Sequence, residues 1–555
     1  MRGRQVLMDS LVAQGVDHLF GNPGTTESPI IDSLADYPGI RYVMALHEGV
    51  AVGAASYYAQ ASGKAAVVNL HVAPGLGNAI GMMYNALKAG SPLVVTAGQQ
   101  DTRLRLRAPV LGHDLVAMAA PVTKWSAQVE RADELGPILH RAFKVARDAP
   151  SGPVFVALPI DVLEQDTEQR ALPPGALFAE HEPDPAGVVA MAAALRASRR
   201  PAIVAGDDVA RRGAVPELMA LADALGAAVW VEGLRQHAPF PTTHPGYRGS
   251  LPYDAAAIRK ALDGADAVLL IGGPFFEEVW FAPGSPFAPD AAVLQIEDAP
   301  ERLSRNFPLR AGLIASPAPA LRALRRALEA DGGDALRRAA AERNTALAAL
   351  REAESTAQRE RAAKRWDVEP ISLPRVMAEI AAGLSPDAIV VDEAITASPD
   401  LGRTLSFARP GDYYGARGGG IGQGIAGALG VKLAHPDRPV VAISGDGSAM
   451  YSIQALWTAA HHGLAVTFVI LDNREYRILK HNMDVYRQRF AVKSERPYVH
   501  MDLGGPDLSF VEIAHGMGVA ARRVTKPGDV APALAEALAS GGPYLLDVAV
   551  EGKPR

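Results

Sequence analysis

Residues 438–473 read RPVVAISGDGSAMYSIQALWTAAHHGLAVTFVILDN and predict more about this protein than any other stretch of it. The β-branched runs 438–444 and 466–471 are typical of buried strands, and the apolar residues of 452–462 between them recur at the three- and four-residue steps of a helix. Strand, helix and strand in this order predict a right-handed βαβ unit. Asp446 and Asn473 would then follow the carboxyl ends of neighbouring parallel strands, where α/β proteins bind their ligands.

Oxygen-bearing groups at this edge predict a metal site. Asp446 offers a carboxylate, Asn473 an amide oxygen and Glu475 a backbone carbonyl, and such hard ligands suit Mg²⁺ or Ca²⁺, with phosphate oxygens and water in the remaining positions. Gly447 would let the backbone approach the phosphates, and the helix start would donate N–H groups to them. Since a single Asp-Gly pair is usually a turn, an ordinary βαβ unit with a tight turn is the competing interpretation.

Length and composition indicate the class of protein. A chain of 555 residues exceeds what one hydrophobic core normally serves, and it predicts three domains. A hydrophobic fraction of 48% with 21% charged residues is that of a soluble globular protein, and a net charge of −6 argues against nucleic acid as a partner. The lack of cysteine excludes disulfides, thiolate zinc sites and cysteine nucleophiles.

Hydropathy and the first residues of the chain predict its location. No apolar segment is long enough to span a bilayer. The apolar residues of 1–21 are spaced as on an amphipathic helix rather than grouped as in a signal peptide. We therefore expect a cytoplasmic protein that does not interact with a membrane.

Helix-like and strand-like segments alternate through most of the chain and predict an α/β protein. Residues 1–164 form a first such unit, 185–335 a second and 366–555 a third, and the polar stretch 165–182 is typical of a linker. Residues 330–365 are rich in Ala, Arg and Glu and predict an exposed connecting helix. The expected fold class is three doubly wound parallel-sheet domains.

Two glycine patterns could indicate a dinucleotide. Residues 422–427 fit the G-x-G-x-x-G fingerprint, and residues 75–81 nearly do. Neither is followed about 20 residues later by the acidic residue that would contact a ribose. NAD or FAD is therefore not expected at either place, and close strand-to-helix packing is the plain alternative.

The order GDGS, helix, strand and Asn resembles the thiamine diphosphate (ThDP) anchoring motif of the decarboxylase and acetohydroxyacid synthase superfamily. Within that superfamily the chain is most similar to benzoylformate decarboxylases, over essentially all its length. The stretches that carry this resemblance occur in the same order: GNPGT (21–25), ALHE (45–48), NLHVAPGLGN (69–78), TAGQQ (96–100), KWS (124–126), PFP (239–241) and ALWTAA (455–460).

The resemblance implies a distinct role for each domain. Residues 1–164 would bind the aminopyrimidine of ThDP, residues 185–335 would bind no cofactor, and residues 366–555 would bind its diphosphate. The resemblance also implies a homotetramer, a dimer of dimers, in which Glu48 of one chain and Asp446 of another complete each active site.

Glu48 is the candidate for the acid that ThDP requires at N1′ of its aminopyrimidine. It follows the strand-like residues 41–46 and opens an apolar helix over 49–60, where an acid could simply complement the helix dipole. An unpaired acid among Val, Ala and Gly would be costly, which favours a hydrogen-bonding partner instead. That partner would be the cofactor, whose imino tautomer such an acid favours.

Further cofactor contacts are implied by the resemblance alone. Gly419 would offer a carbonyl to the 4′-amino group, Ile421 would support the bent cofactor, and Thr396 would reach the diphosphate. The glycines of residues 417–427 would thus serve ThDP rather than NAD. The other implied cofactor residues are Asn22, Pro23, Gly24, Gly445, Asp446, Gly447, Ser448, Asn473, Glu475 and Tyr476.

Two histidines and a threonine are the candidate catalytic groups besides Glu48. The resemblance makes His71 a proton carrier beside the reacting carbon, which suits imidazole near neutral pH, although a structural histidine is the alternative. Thr25 stands where these decarboxylases carry a Ser that contacts the substrate carboxylate. His113 lies in a loop that borders the active site in this superfamily, and Asp114 could orient its ring; a solvated loop histidine is the alternative.

The chain departs from benzoylformate decarboxylases in the substrate pocket. Val279 stands where a catalytic His is expected, and valine cannot carry protons. Gly415 and Asn482 each replace a Phe, Ile478 replaces an Ala, and Arg417 adds a charge. The cofactor-binding residues are thus intact, whereas the substrate pocket is rebuilt.

These features predict a ThDP- and Mg²⁺-dependent 2-oxo acid decarboxylase that resembles benzoylformate decarboxylase and acts through a C2-enamine intermediate. A carboligase or C–C lyase, similar to acyloin or acetolactate synthases and using an aldehyde acceptor, is the alternative, because loss of the His at position 279 should slow protonation and release. A non-catalytic ThDP-binding protein is a second alternative, against which the intact Glu48, His71, Asp446 and Asn473 argue.

Overall fold

The computed structural model describes residues 1–552 and divides into two compact units. The first unit comprises residues 1–176, 367–398 and the chain from 416 onward, and the second comprises residues 177–366 and 399–415. The described residues form parallel sheets with helices packed against them, so the predicted fold class is confirmed. The domain boundaries given above stay predictions. None of the described helices is both long and apolar enough to cross a membrane.

The first unit begins with a parallel sheet and its helices. Its strands are β1 (His18–Gly21), β2 (Arg41–Met44), β3 (Ala66–Leu70), β4 (Leu93–Gln99), β5 (Ser126–Gln128) and β6 (Val154–Pro159). Its helices are α1 (Gly3–Ala13), α2 (Ser28–Ser33), α3 (Glu48–Ser62), α4 (Val72–Ala89), α5 (Leu115–Ala119), α6 (Leu135–Arg147) and α7 (Ile160–Leu163).

Strand order places the predicted N-terminal site residues at one edge of this sheet. The strands lie in the order β2-β1-β3-β4-β6-β5, so the chain reverses direction across the sheet between β1 and β3. Asn22 follows β1, Glu48 follows β2 and His71 follows β3. All three therefore lie at the carboxyl edge beside the topological switch point, where such sheets bind ligands.

The second unit is built on a sheet of its own. Its strands are β7 (Pro201–Ala205), β8 (Ala228–Val231), β9 (Tyr247–Ser250), β10 (Ala267–Ile271), β11 (Ala292–Glu297) and β12 (Ala311–Ile314), in the order β12-β11-β10-β7-β8-β9. Its helices are α8 (Pro185–Ala197), α9 (Asp207–Arg211), α10 (Val215–Leu225), α11 (Ala255–Ala261) and α12 (Pro317–Ala363).

Helix α12 corresponds to the predicted connecting helix but begins earlier than residue 330. Its first part carries Leu321, Leu324 and Leu328 into the core of the second unit, and this burial extends the helix toward its N-terminus. Gly333, with φ of 57°, interrupts the helical backbone, and the residues beyond it are mostly exposed. The exposed connecting helix is therefore only the later part of α12.

The remaining elements follow α12 in the chain. They are α13 (Leu373–Gly383), β13 (Ile389–Glu393), α14 (Ser398–Thr404), β14 (Tyr413–Gly415), α15 (Gln423–Ala434), β15 (Val440–Gly445), α16 (Asp446–Ala449), α17 (Ala455–His462), β16 (Val466–Asp472), α18 (Arg477–Arg489), α19 (Phe510–Gly516), β17 (Ala520–Val524), α20 (Val530–Ala539) and β18 (Tyr544–Ala549). Within the first unit these strands lie in the order β13-β15-β16-β18-β17. Five strands of the first sheet lie in the corresponding order, β1-β3-β4-β6-β5, so the two sheets share this topology.

Glycines in α15 allow this helix to pack closely against α3. A side-chain carbon on Gly430 would lie 1.9 Å from the carbonyl oxygen of Ala54, and one on Gly427 would lie 2.5 Å from the ring of Tyr57. Within 422–427, a side-chain carbon on Gly424 would lie 2.8 Å from Glu393 at the end of β13, so this glycine packs against a strand end, whereas Gly427 packs against α3.

Candidate active site

Side chains at the ends of β15 and β16 converge as the sequence predicts. The buried carboxylate of Asp446 accepts hydrogen bonds from the backbone N–H groups of Gly447 and Arg474, both at 2.7 Å. The side-chain oxygen of Asn473 accepts a hydrogen bond from the backbone N–H of Glu475 at 3.0 Å, which forms an Asx turn. Asp446, at the end of β15, is thus bound to the backbone of the residue that follows Asn473 at the end of β16.

The charges around Asp446 fit a divalent cation. Burial, followed by the charge of neighbouring Asp472, raises the pKa of Asp446 to about 7. Asp472 is bound by Arg523, with 2.9 Å between the guanidinium and a carboxylate oxygen, and Arg523 also pairs with Asp547. Because neighbouring buried carboxylates repel each other, a cation would stabilise this arrangement. A donor set of oxygen atoms alone suits Mg²⁺ or Ca²⁺.

The helix that follows Asp446 begins later than the predicted residue 452. Only one helical turn, α16, starts at Asp446, and α17 starts at Ala455. Between them the hydroxyl of Ser452 donates a hydrogen bond to the carbonyl of Gly422 at 2.6 Å. This contact ties the connecting loop to the glycine-rich segment before α15.

Glu48 is held by two asparagines at the start of α3. The Nδ2 group of Asn78 donates a hydrogen bond to one carboxylate oxygen at 3.0 Å, and that of Asn22 donates to the other at 3.4 Å. His47 caps the helix instead, since its Nδ1 accepts a hydrogen bond from Gly49 N at 3.0 Å. The Glu48 side chain, which is almost completely buried, therefore does not serve as the helix cap.

His71 forms a hydrogen-bonded pair that the sequence does not reveal. Its Nδ1 lies 2.8 Å from a carboxylate oxygen of Glu27, which is fully buried. Glu27 also accepts hydrogen bonds from Gly24 N at 3.0 Å, Gly98 N at 2.9 Å and the Thr26 hydroxyl at 2.8 Å. Since a carboxylate can only accept, Nδ1 carries the proton and Nε2 is left for another partner.

Three residues with strained backbone lie directly beside candidate residues. Val72, Ile395 and Arg474 have positive φ angles of 43°, 51° and 58°. This region is unfavourable for any residue other than glycine, and most of all for β-branched side chains. Each such residue costs about 1–3 kcal/mol, and strain of this kind concentrates at functional sites. Val72 follows His71, and Arg474 follows Asn473.

The remaining candidate cofactor residues of the first unit end or follow strands of the two sheets or lie in the segment before α15. Gly445 and Ser448 flank Asp446, and the ring of Tyr476 packs so closely that a side chain on Gly447 would lie 2.4 Å from it. The packing of the tyrosine therefore requires a glycine at position 447. Pro23, Thr396, Gly419 and Ile421 are exposed or half-buried.

The predicted pair of His113 and Asp114 is wrong in its detail. His113 is exposed, and its Nδ1 accepts a hydrogen bond from the backbone N–H of Asp114 at 2.8 Å. The carboxylate of Asp114 instead caps α5 by accepting from Ala117 N at 2.9 Å. Helix capping thus occupies the carboxylate that we expected to orient the imidazole ring.

The positions at which the chain departs from its relatives differ in exposure. Thr25 is exposed at the start of a short 3₁₀ turn, and Val279, in the second unit, is 60% exposed. Ile478 and Asn482 are half-buried and lie four residues apart on α18, so they share one face of that helix. Arg417 is buried.

The sequence does not reveal an acidic cluster in the second unit, whose aspartates form ion pairs with arginines. Carboxylate oxygens of Asp208, Glu297 and Asp298 lie within 4.8 Å of one another. Arg302 binds Asp208 at 2.7 Å and Arg212 binds Asp298 at 3.0 Å. These cations already neutralise the cluster, which therefore does not resemble a metal site.

Comparisons with known proteins show which proteins this chain resembles. Family models described as the N-terminal, central and C-terminal domains of the thiamine pyrophosphate enzymes match residues 1–118, 188–324 and 396–548. The benzoylformate decarboxylase of Pseudomonas aeruginosa is 33% identical over 549 residues, covering 96% of each chain.

Two other proteins are similar over practically the whole chain. A Mycobacterium tuberculosis protein provisionally named an acetolactate synthase large subunit is 32% identical over 561 residues, covering 99% of each chain. The solved structure of a ThDP-dependent 4-hydroxybenzoylformate decarboxylase from Rhodococcus jostii covers 100% of each chain at 28% identity, with a TM-score of 0.85.

Proposed function

Because this chain belongs to the thiamine pyrophosphate enzymes, we propose that it is a ThDP- and Mg²⁺-dependent 2-oxo acid decarboxylase. The observation that carries the proposal is the oxygen-only cluster at the ends of β15 and β16, where Asp446 is buried beside Asp472. Asp446, Asn473 and the Glu475 carbonyl would hold the metal, and the metal would hold the diphosphate.

Glu48 and His71 would carry the protons of the reaction. Bound ThDP supplies the electron sink that accepts the electrons of the breaking carbon–carbon bond. Glu48, which Asn22 and Asn78 hold in place, would hydrogen-bond the aminopyrimidine. His71 would deliver or accept a proton through Nε2, since Glu27 fixes its Nδ1.

Carboligation is a second candidate function, and Val279 is the observation that favours it. A valine at the position of the expected proton-carrying His cannot protonate the reacting carbon. A slower protonation leaves more time for an acceptor aldehyde to react. The similarity to an acetolactate synthase subunit supports the same alternative.

Other parts of the proposal rest on the family resemblance. We propose that His113, which is exposed, is a second proton carrier, and that Thr25 contacts the substrate carboxylate. We also propose a cytoplasmic homotetramer whose active sites lie between chains. Light scattering would measure the mass of the assembly.

The test measures products from a panel of 2-oxo acids, with and without an acceptor aldehyde. We expect CO₂ release that depends on ThDP and Mg²⁺. Val279→His should raise the ratio of aldehyde to ligation product, and Val189→His is the matched control because Val189 is equally exposed (62% against 60%) in the same unit. His113→Ala should reduce aldehyde release. The absence of CO₂ from every acid would refute the decarboxylase proposal.

A further inference from the structure

The segment before α15 contains three glycines whose backbone only glycine adopts readily. Gly418, Gly419 and Gly422 have φ angles of 94°, 83° and 96°. Such a segment would be mobile in isolation, and a ligand that bound it would have to order each residue at a cost in affinity. The structure instead shows side chains that hold the segment from both sides.

Glu393 holds the end of this segment. It is the last residue of β13 and is 1% exposed. One carboxylate oxygen accepts hydrogen bonds from Gly422 N at 2.8 Å and Gln423 N at 3.0 Å, and the other accepts from Gly424 N at 2.8 Å. Three consecutive N–H groups at the start of α15, which have no partner within the helix, are thus satisfied by one buried carboxylate.

Asn85 holds the middle of the segment. Its Nδ2 donates a hydrogen bond to Gly420 O at 3.1 Å, and its Oδ1 accepts one from Gly420 N at 3.1 Å. A side-chain carbon on Gly418 or Gly420 would lie 2.7 Å from this amide, so the glycines permit its approach. Asn85 belongs to α4, which packs on the first sheet, and it therefore attaches the segment to a different part of the same unit.

Gln423 completes the support from within the segment. Its side-chain nitrogen donates hydrogen bonds to Arg417 O at 2.8 Å and Gly420 O at 2.7 Å. Gly419 lies between these attachments, is exposed, and has no atom within 4 Å of where its side chain would be. The supported residues on either side therefore leave Gly419 open to a ligand.

We propose that Glu393 and Asn85 are positioning residues that hold residues 417–424 in the shape that binds ThDP before the cofactor arrives. This inference rests on the proposed function. A segment that is already ordered does not lose backbone entropy on binding, so the affinity for ThDP is higher than that of a mobile segment. Neither residue is required to touch the cofactor.

Two variants remove the support at independent places. In Glu393→Gln the amide retains one acceptor oxygen, which can serve Gly422 N and Gln423 N but leaves Gly424 N facing an NH₂ group. Asn85→Leu keeps the branched shape of the side chain and removes both hydrogen bonds to Gly420. Glu297→Gln, the same substitution at a fully buried Glu of the second unit, is the control.

The experiment combines hydrogen exchange of the cofactor-free protein with calorimetric titration of ThDP at saturating Mg²⁺. We expect faster amide exchange confined to residues 417–424 in both variants. We expect ThDP binding to weaken about tenfold in each, since ordering one further backbone residue corresponds to about that change. The control should show neither effect. If one variant does not fold, the other decides.

The possible outcomes separate this inference from the proposed function. Wild-type protein that binds no ThDP refutes the proposed function and this inference with it. Wild-type binding together with unchanged affinity or unchanged local exchange in the folded variants overturns the positioning role alone. Exchange that rises equally throughout the chain would show general destabilisation and would also overturn it.

Discussion

Replacing Glu48 by glutamine removes the acidic group and keeps the size and shape of the side chain. Both hydrogen-bond partners of Glu48 are asparagines, Asn78 at 3.0 Å and Asn22 at 3.4 Å. An asparagine amide can turn by 180° and present its oxygen where it presented its nitrogen. A glutamine at position 48 can therefore keep both contacts, and we expect the free energy of unfolding to change by less than about 1 kcal/mol.

The catalytic effect of Glu48→Gln should be much larger than its effect on stability. A glutamine cannot supply the acidic hydrogen bond to the aminopyrimidine, and loss of acid–base assistance reduces rates by about 10²–10⁴-fold. We expect proton exchange at C2 of bound ThDP to slow by at least about 100-fold. The affinity for ThDP should change by less than about tenfold, or about 1.4 kcal/mol, because the metal and diphosphate contacts remain.

The assay is acid-quenched exchange of the C2 proton in deuterated buffer, followed by NMR, on wild-type and variant protein loaded with ThDP and Mg²⁺. Urea denaturation of the same preparations checks that both are equally folded. An exchange rate in Glu48→Gln that equals the wild-type rate would refute the role of Glu48 and leave it a buried helix-start acid. A loss of stability of several kcal/mol would refute the argument from the two asparagines.

Three further predictions concern different parts of the chain. Glu27→Gln should misplace His71 and lower kcat by about 100-fold, because general acid–base assistance is lost. The unfolding free energy should fall by about 1–3 kcal/mol, because the backbone N–H of Gly24 or Gly98 loses its acceptor. Unchanged kcat in steady-state assays would exclude a catalytic role for the pairing. Burial raises the pKa of Glu297 from 4.5 to about 7. Between these pH values the folded state holds a proton that the unfolded state releases. The free energy of unfolding therefore falls by about 3 kcal/mol as the pH rises through this interval. Glu297→Gln should therefore be more stable than wild type by up to that amount at pH 8 and little different at pH 4.5, and a urea-measured difference independent of pH would contradict this. Gly430→Ala should lower the free energy of unfolding by about 1–3 kcal/mol, because the new methyl group forces α15 away from α3. The control is Gly516→Ala, whose methyl group would meet nothing within 4 Å and should be neutral or stabilising. Equal urea midpoints for the two variants would contradict the close packing of α15 on α3.

The strand ends around Asp446 could be predicted because the information is local. The predicted runs 438–444 and 466–471 correspond to β15, Val440–Gly445, and β16, Val466–Asp472. Alternation of apolar strands and amphipathic helices determines a parallel sheet, and a parallel sheet places successive carboxyl ends together. The meeting of Asp446 with the residues after β16 therefore followed from order and spacing alone.

The supporting residues could not be predicted because their partners are distant in sequence. Glu27 and His71 are 44 residues apart, and Asn85 and Gly420 are 335 residues apart. A single Glu at a helix start or a single Asn within a helix carries no pattern that names such a partner. Capping likewise explains the error at Asp114, whose carboxylate accepts a hydrogen bond from Ala117 N at the start of α5.

Calorimetric titration of ThDP into the metal-stripped protein, with and without added Mg²⁺, tests whether Asp446 binds the cofactor through a metal. We predict binding of the wild type that requires the metal, and no binding in Asp446→Ala, because the diphosphate would lack the cation that Asp446 holds. Binding that is unaffected by chelation and by Asp446→Ala would contradict the proposal that Asp446 binds ThDP through a metal. No binding of ThDP to the wild type at saturating Mg²⁺ would contradict it as well.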